Sequence, residues 1–314
     1  MDTNETAGSL APSLGWIGLG RMGAGLSARL LANGCRLTVW NRTQAKSVPL
    51  VARGAGEART PAELASCDIV FTMVSTSSDL REVLFADGGL LTNPAAKPRV
   101  VVDCSSIDEA GSAAIRELAE AAGTGFVCAP ISGNSKAVAA GMVTVVASGR
   151  PETYRLVEPY LAMLGRRSTY VGVGELARVV KIAHNTMLGV VMQSLCEIVL
   201  LAQKAGVPRH AFMDFLNHSA MGSRFTASKT DAIVNLDFTT TFTPRLLLKD
   251  MDLGLDAARH YGVPMPAAAA MRQQLQAVLN QGHEDIDFSV MLREHARSAD
   301  VELLPQTGPE APAP

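Results

Sequence analysis

The chain has 314 residues, more than one hydrophobic core usually supports, so two domains are expected. Hydrophobic residues make up 47% and the formal net charge is −2, which argues against a disordered chain and against a basic surface for nucleic acid or an anionic membrane. The five cysteines form no Cys-x-x-Cys pair, which argues against a disulfide framework or a structural metal and for a reducing, cytoplasmic setting.

Residues 1–13 are polar, carry no apolar run for export, and read as a flexible tail. The run Leu14–Ile17 reads as the first buried strand. It leads into Gly18-Leu19-Gly20-Arg21-Met22-Gly23, a GxGxxG that opens a helical stretch, Met22–Asn33. Gly18 permits the tight turn, Gly20 lets the backbone approach a pyrophosphate, and Gly23 lets the helix pack close to the strand. The free N–H groups of the helix start then face the phosphates, which assigns Gly18, Leu19, Gly20, Arg21 and Met22 to a dinucleotide.

The next strand, Arg36–Trp40, ends in Asn41-Arg42-Thr43. An acidic residue there would suit the ribose 2′-hydroxyl of NAD. Arg42 suits a 2′-phosphate instead, with Asn41 and Thr43 as hydrogen-bonding neighbours, so NADP is the expected cofactor, with NAD as the second choice. Thr60-Pro61-Ala62-Glu63 carries a helix-start signature, an N-cap Thr with Pro at the first helical position and Glu three residues after the cap. Further buried strands are expected at Ile69–Val74, Val100–Asp103, Phe126–Ala129 and Val143–Ala147. Strands alternating with helices predict a mostly parallel, doubly wound sheet.

The pattern changes after Gly174. Leu176–Ala205 has no proline, is apolar on most faces, and predicts a helix of roughly 45 Å, ended by Gly206-Val207-Pro208. No strand is expected beyond it, and a second helix stop stands at Gly262-Val263-Pro264. No stretch of about 18 uncharged apolar residues exists, so no membrane span is expected. The proline-rich end, within residues 300–314, reads as a second tail. So much apolar helix surface in a small domain predicts a homodimer or homotetramer.

Six blocks in order resemble the β-hydroxyacid dehydrogenases, the family of 3-hydroxyisobutyrate dehydrogenase, related to 6-phosphogluconate dehydrogenase. They are GWIGLGRMG (15–23), WNRT (40–43), VDCSSI (102–107), APISGN (129–134), KIAHN (181–185) and KDMDLGLDAARHYGVPMP (249–266). The resemblance covers about residues 14–295. It implies a Rossmann-type NADP domain over 14–174 and an all-α substrate and dimerisation domain over 175–299, joined by a long interdomain helix. It implies Lys181 as general acid/base, with Asn185, four residues on and on the same helix face, orienting the substrate hydroxyl. Ser132, Gly133 and Asn134 would hold a substrate carboxylate, with His184 beside it. Val74, Ser75, Ser106 and Lys249 would touch the cofactor, and Ser105 stands beside Ser106 in the matching pair.

The chain departs from the family at Cys128 (usually Asp), Asn134 and Glu175 and Ala177 (usually Gly), Ser106 (usually Thr) and His184-Asn185 (usually Asn-Asn), while Lys136 adds a cation beside the Ser-Gly loop. These changes leave the reaction class and bear on the substrate. The reaction implied interconverts a short β-hydroxyacid and its aldehyde or ketone. The alternatives are an imine reductase, whose members usually lack the lysine, a 6-phosphogluconate-type oxidative decarboxylase, and a non-catalytic dinucleotide-binding interaction protein.

Overall fold

A computed structural model describes residues 11–306; the outer parts of both expected tails, 1–10 and 307–314, lie outside the described residues. The chain divides into two compact units, one ending at Lys181 and one beginning at Ile182. The division falls inside the long helix, whereas the sequence pattern changes at Gly174.

The first unit is built on nine strands: β1 (Leu14–Ile17), β2 (Leu37–Trp40), β3 (Gly56–Glu57), β4 (Ile69–Thr72), β5 (Val100–Asp103), β6 (Gly125–Cys128), β7 (Ile131–Ser132), β8 (Thr144–Gly149) and β9 (Arg167–Tyr170). Their order is β3-β2-β1-β4-β5-β6-β8-β7, with β9 on β8. Pairings from β3 across to β6 are parallel, and β8 runs antiparallel to β6 and β7. Leu-Gly-Trp-Ile, Ile-Val-Phe-Thr and Val-Val-Val-Asp are buried on both faces, as continuous apolar runs in a covered parallel sheet must be. Successive residues alternate between two cores. Trp16, Phe71 and Val102 pack with Leu26 and Leu30 on one face; Ile17, Val70 and Val101 pack with Leu80 and Ile115 on the other.

The covering helices are α1 (Gly23–Ala32), α2 (Val48–Val51), α3 (Ser77–Phe85), α4 (Glu109–Ala121), α5 (Ser135–Ala139) and α6 (Pro151–Leu164). The start signature at Thr60 yields only a short 3-10 turn, Pro61–Ser66, and Thr60 makes no side-chain cap. Glu63 accepts instead from the N–H of Arg59, so the reciprocal cap never closes. Thr76 and Asp79 do close one, at the start of α3.

The helix α7 (Leu176–Lys204) runs from the first unit into the second. It is long and apolar enough by length and composition to cross a membrane, although its longest uncharged run, 182–196, is 15 residues. A core helix passes the same test, and 44% of its most apolar window is buried inside the protein. Among the described residues, the further elements of the second unit are helical: α8 (Arg209–His218), α9 (Arg224–Ser228), α10 (Thr230–Val234), α11 (Pro244–Tyr261), α12 (Pro266–Asn280) and α13 (Met291–Ser298). α11 and α12 close on α7 at its one internal glycine. A Cβ on Gly189 would lie 2.9 Å from Met251 Sδ and 3.2 Å from Met271. Gly262, in the left-handed region at φ +67°, ends α11 as its sequence predicts.

The described part of the expected C-terminal tail is docked rather than free. The buried Arg209 guanidinium donates to the carbonyls of Ile233, Val234 and Leu304, and Gln306 N–H donates to Val234. A buried guanidinium needs acceptors, and the tail supplies one of them.

Candidate functional site

In the first unit the site grows from the carboxyl ends of β1, β2, β4 and β5. After β1 the chain turns at Gly18 with φ +97°, where a Cβ would stand 2.2 Å from Met73 O. Trp16 Nε1 donates to Gly18 O at 2.9 Å and fixes the turn from below. A Cβ on Gly23 would lie 2.0 Å from Gly18 O, so only glycine lets α1 begin this close to β1. Beside Gly20 a Cβ would meet nothing within 4 Å, and α1 starts without a side-chain cap. A tight turn, open space at the middle glycine and an uncapped helix start together fit a dinucleotide pyrophosphate.

At the end of β2, Asn41 Oδ1 accepts from Leu19 N–H at 2.8 Å and its Nδ2 donates to Thr43 O at 2.8 Å. Asn41 thus ties the glycine loop to the β2 loop. Arg42 and Thr43 are exposed, as is Arg21, while Met22 packs against the core. Arg42 therefore stands as the exposed cation of the loop where NAD enzymes carry an acid.

The loops after β4 and β5 are joined by a buried network. Val74 N–H donates to Ser105 Oγ at 2.9 Å, and Ser105 Oγ donates to Asp103 Oδ1 at 2.7 Å. Thr72 Oγ1 donates to the same oxygen at 2.6 Å. Ser75 is exposed and Ser106 half-buried on either side of this link. The other oxygen of Asp103 meets Arg178, on the first turn of α7. Sequence reasoning missed Arg178, because a lone arginine in an apolar helix resembles any solvated cation.

The strand β7 ends at Ser132, which is half-buried, and Gly133 follows exposed at φ +138°. Asn134 Oδ1 accepts from Ala137 N–H at 2.9 Å and caps α5. That gives the departure at Asn134 a local reason, since asparagine is among the best N-caps. Lys136 is exposed on α5. Burial pushes the Cys128 thiol up, so it stays protonated, and its sulfur lies 3.5 Å from Ser112 Oγ. Lys181, the last residue of the first unit, is 8% exposed.

In the second unit Asn185 is 6% exposed, one turn beyond Lys181 on the same face of α7. Its Nδ2 donates to the buried Asp250, and its Oδ1 accepts from Nδ1 of the exposed His184 at 3.0 Å. An amide oxygen only accepts, so His184 must carry its proton on Nδ1 here. Asp250 was also missed, although it stands in the KDMDL block. Lys249, half-buried, lies 3.7 Å from Asp250 Oδ1.

Comparison with known proteins gives the family. The model of the NAD-binding domain of 6-phosphogluconate dehydrogenase matches residues 13–172, and that of the NAD-binding region of NADP-dependent 3-hydroxyisobutyrate dehydrogenase matches residues 176–295. Glyoxylate/succinic semialdehyde reductase 1 of Arabidopsis thaliana is 32% identical over 89% of this chain and 96% of its own length. A 3-hydroxyisobutyrate dehydrogenase of Salmonella typhimurium superposes with a TM-score of 0.80 at 26% identity, covering 90% of this chain and 99% of its own. The human cytokine-like nuclear factor N-PAC is 31% identical over 94% of this chain, which spans 54% of that longer protein.

Proposed function

The chain belongs to the β-hydroxyacid dehydrogenase family of NAD(P)-dependent oxidoreductases acting on CH–OH groups, and on that premise we propose that it interconverts a short β-hydroxyacid and its aldehyde or ketone, with NADP as cofactor and Lys181 as general acid/base. The observation that carries the reading is Lys181 itself. It is a lysine nine-tenths buried on a largely apolar helix, with the buried amide of Asn185 one turn away. An amine held there, one turn from an amide that can orient a hydroxyl, is placed for general acid/base work.

A bound nicotinamide supplies the hydride in reduction and accepts it in oxidation. Lys181 gives a proton to the carbonyl oxygen as negative charge gathers there, and takes the hydroxyl proton in the reverse direction. Asn185, held by Asp250 and His184, directs a hydrogen bond at the same oxygen. Ser132 Oγ and the N–H groups of Gly133 and Asn134 hold the carboxylate. Arg42 pairs with the 2′-phosphate, while Gly18 to Met22 receive the pyrophosphate. Val74, Ser75, Ser106 and Lys249 complete the surroundings of the cofactor. The named substrates of the relatives, glyoxylate, succinic semialdehyde and 3-hydroxyisobutyrate, are all short acids bearing a carbonyl or hydroxyl, which supports a short acid as substrate, and 3-hydroxyisobutyrate among them is a β-hydroxyacid. All five cysteines are free, which suits a cytoplasmic location.

The test is NADPH oxidation with a panel of short aldehydo- and keto-acids and with their methyl esters. Turnover of the acids, much slower with the esters, is the expected result. Reduction of cyclic imines but not acids would replace the proposal with an imine reductase, and NADP-dependent release of carbon dioxide from 6-phosphogluconate would replace it with the decarboxylase. NADPH binding with no turnover of anything in the panel would favour an interaction module.

A further inference from the structure

Two charged side chains stand at the start of α7 where an apolar helix would do without them. Glu175, just before the helix, accepts from Arg116 Nε of α4 at 3.0 Å. Arg178 is 1% exposed, and each arm of its guanidinium has a different acceptor. Nε donates to Ser112 Oγ of α4 at 3.1 Å, Nη1 to the Ser105 carbonyl at 2.5 Å, and Nη2 to Asp103 Oδ2 at 2.5 Å. A fully buried ion pair is weak evidence for stability, because desolvation offsets most of its attraction. What a planar fork with several fixed donors supplies is geometry.

The geometry here is specific. Asp103 and Ser105 hold the end of β4 and the loop that follows it, through Thr72 Oγ1 and Val74 N–H. Arg178 grips both of them, and it stands one helical turn before Lys181 on the same helix. The chain of contacts therefore runs Val74, Ser105, Asp103, Arg178 and on into the helix that presents Lys181, entirely within the first unit. Removing the guanidinium would leave Asp103 buried with its charge unpaired and the Ser105 carbonyl without this donor, and the loops after β4 and β5 could then shift against α7.

We propose that Arg178 is a positioning residue that locks the Val74 and Ser105 loops to the first turn of α7, so that the cofactor-facing loops and Lys181 keep one fixed relation. The inference rests on the proposed role of Lys181, but its mechanical part does not. Arg178 touches neither substrate nor reacting atoms. It acts through Ser105 and through the helix.

The experiment compares wild type with Arg178→Lys and Ser112→Ala at a temperature where circular dichroism shows each fully folded. Lysine keeps the charge but cannot reach three acceptors in one plane. Ser112→Ala removes one anchor and leaves the ion pair. Amide hydrogen exchange at Val74 is read first, without cofactor. It should be at least about 10-fold faster in Arg178→Lys, while Gly18 to Gly23 exchange as in wild type. NADPH affinity should fall by no more than about 3-fold, because the glycine loop and Arg42 are untouched, whereas kcat should fall about 10-fold or more and the primary isotope effect from deuterated NADPH should rise. Ser112→Ala should move the same readouts in the same direction by about 2- to 3-fold. Wild-type exchange at Val74 in folded Arg178→Lys, or faster exchange with unchanged kcat and isotope effect, would overturn the inference. A wild-type protein inert to every acid, with Val74 protection still lost in Arg178→Lys, would instead overturn the reductase reading and leave the lock standing.

Discussion

Asn185 donates through Nδ2 to Asp250 Oδ2 at 2.5 Å, and both side chains are buried. With His184 on its oxygen, the planar amide is held at both ends. Asp250→Asn keeps the shape but removes the charged acceptor. It should lower kcat with a short keto-acid about 10-fold or more while NADPH affinity stays within about 3-fold. Steady-state kinetics with fluorescence titration of NADPH decide it. A larger loss in NADPH binding than in kcat would move Asp250 from substrate orientation to the cofactor.

The proposed preference for NADP rests on Arg42. It is exposed in the loop after β2, where a charge-assisted pair with a 2′-phosphate is worth about 1.5–3 kcal/mol. Arg42→Ala should therefore weaken NADPH by about 10- to 100-fold and leave NADH nearly unchanged. Equal losses for both cofactors, or tighter NADH binding in wild type, would remove the 2′-phosphate argument.

Buried parallel strands were the most legible part of this sequence. β1 and β5 have the bounds that their apolar runs predict, because a strand covered on both faces has no polar alternation to confuse it. β3 and β7 are two residues long, and β9, Arg-Ser-Thr-Tyr, is polar and partly exposed, so none carries an apolar run to find. The glycine loop was legible because its spacing is a backbone requirement. Arg178 was not, since its partner Asp103 lies 75 positions away and only the fold brings them together. The cap that Asn134 places on Ala137 N–H was not legible either, because it depends on a helix of five residues that no periodicity announces.

Acid stability has a specific carrier in the second unit. Burial alone would raise the Asp287 carboxyl pKa, but the charge and hydrogen bond of Lys229, with the hydroxyls of Ser289 and Thr241, hold it below the usual carboxylate range. The unfolded carboxyl, at about 3.9, takes up its proton first as pH falls. The stabilisation is therefore complete above that value and lost as pH falls through the lower folded one. Asp287→Asn leaves Lys229 buried without its carboxylate and should cost about 3–5 kcal/mol at pH 7. In urea titrations the gap between wild type and variant should stay constant from about pH 7 to 5 and narrow below about pH 4. A gap already closing between pH 7 and 5 would assign the titration to another group.

Assembly is expected from α7. Val180, Met187, Ile198 and Leu201 are exposed along it, with Met187 at 67% and Leu201 at 71%. Apolar positions at steps of seven, eleven and three residues lie near one face of the helix and form a stripe that a second copy of the chain would cover. Light scattering should give at least twice the chain mass of 33.1 kDa at micromolar concentration, and Met187→Glu with Leu201→Glu should return it to one. A wild-type mass of one chain would contradict the proposal.

Lys181 carries the heaviest expectation. Hydride delivery to a carbonyl carbon leaves negative charge on oxygen, which must be neutralised as it forms, and general acid catalysis is worth about 10²–10⁴ in rate. Lys181→Met keeps the length and apolar stem of the side chain and removes only the proton carrier. Turnover should fall by at least about 10², with NADPH affinity within a few-fold, because the glycine loop is unaltered. The wild-type rate should show a titration that is absent from the variant. His184 is the competing proton carrier. It is exposed, and its Nδ1 is engaged with Asn185, so His184→Gln should cost far less. Near-normal turnover in Lys181→Met, or a larger loss in His184→Gln, would transfer the role to the histidine.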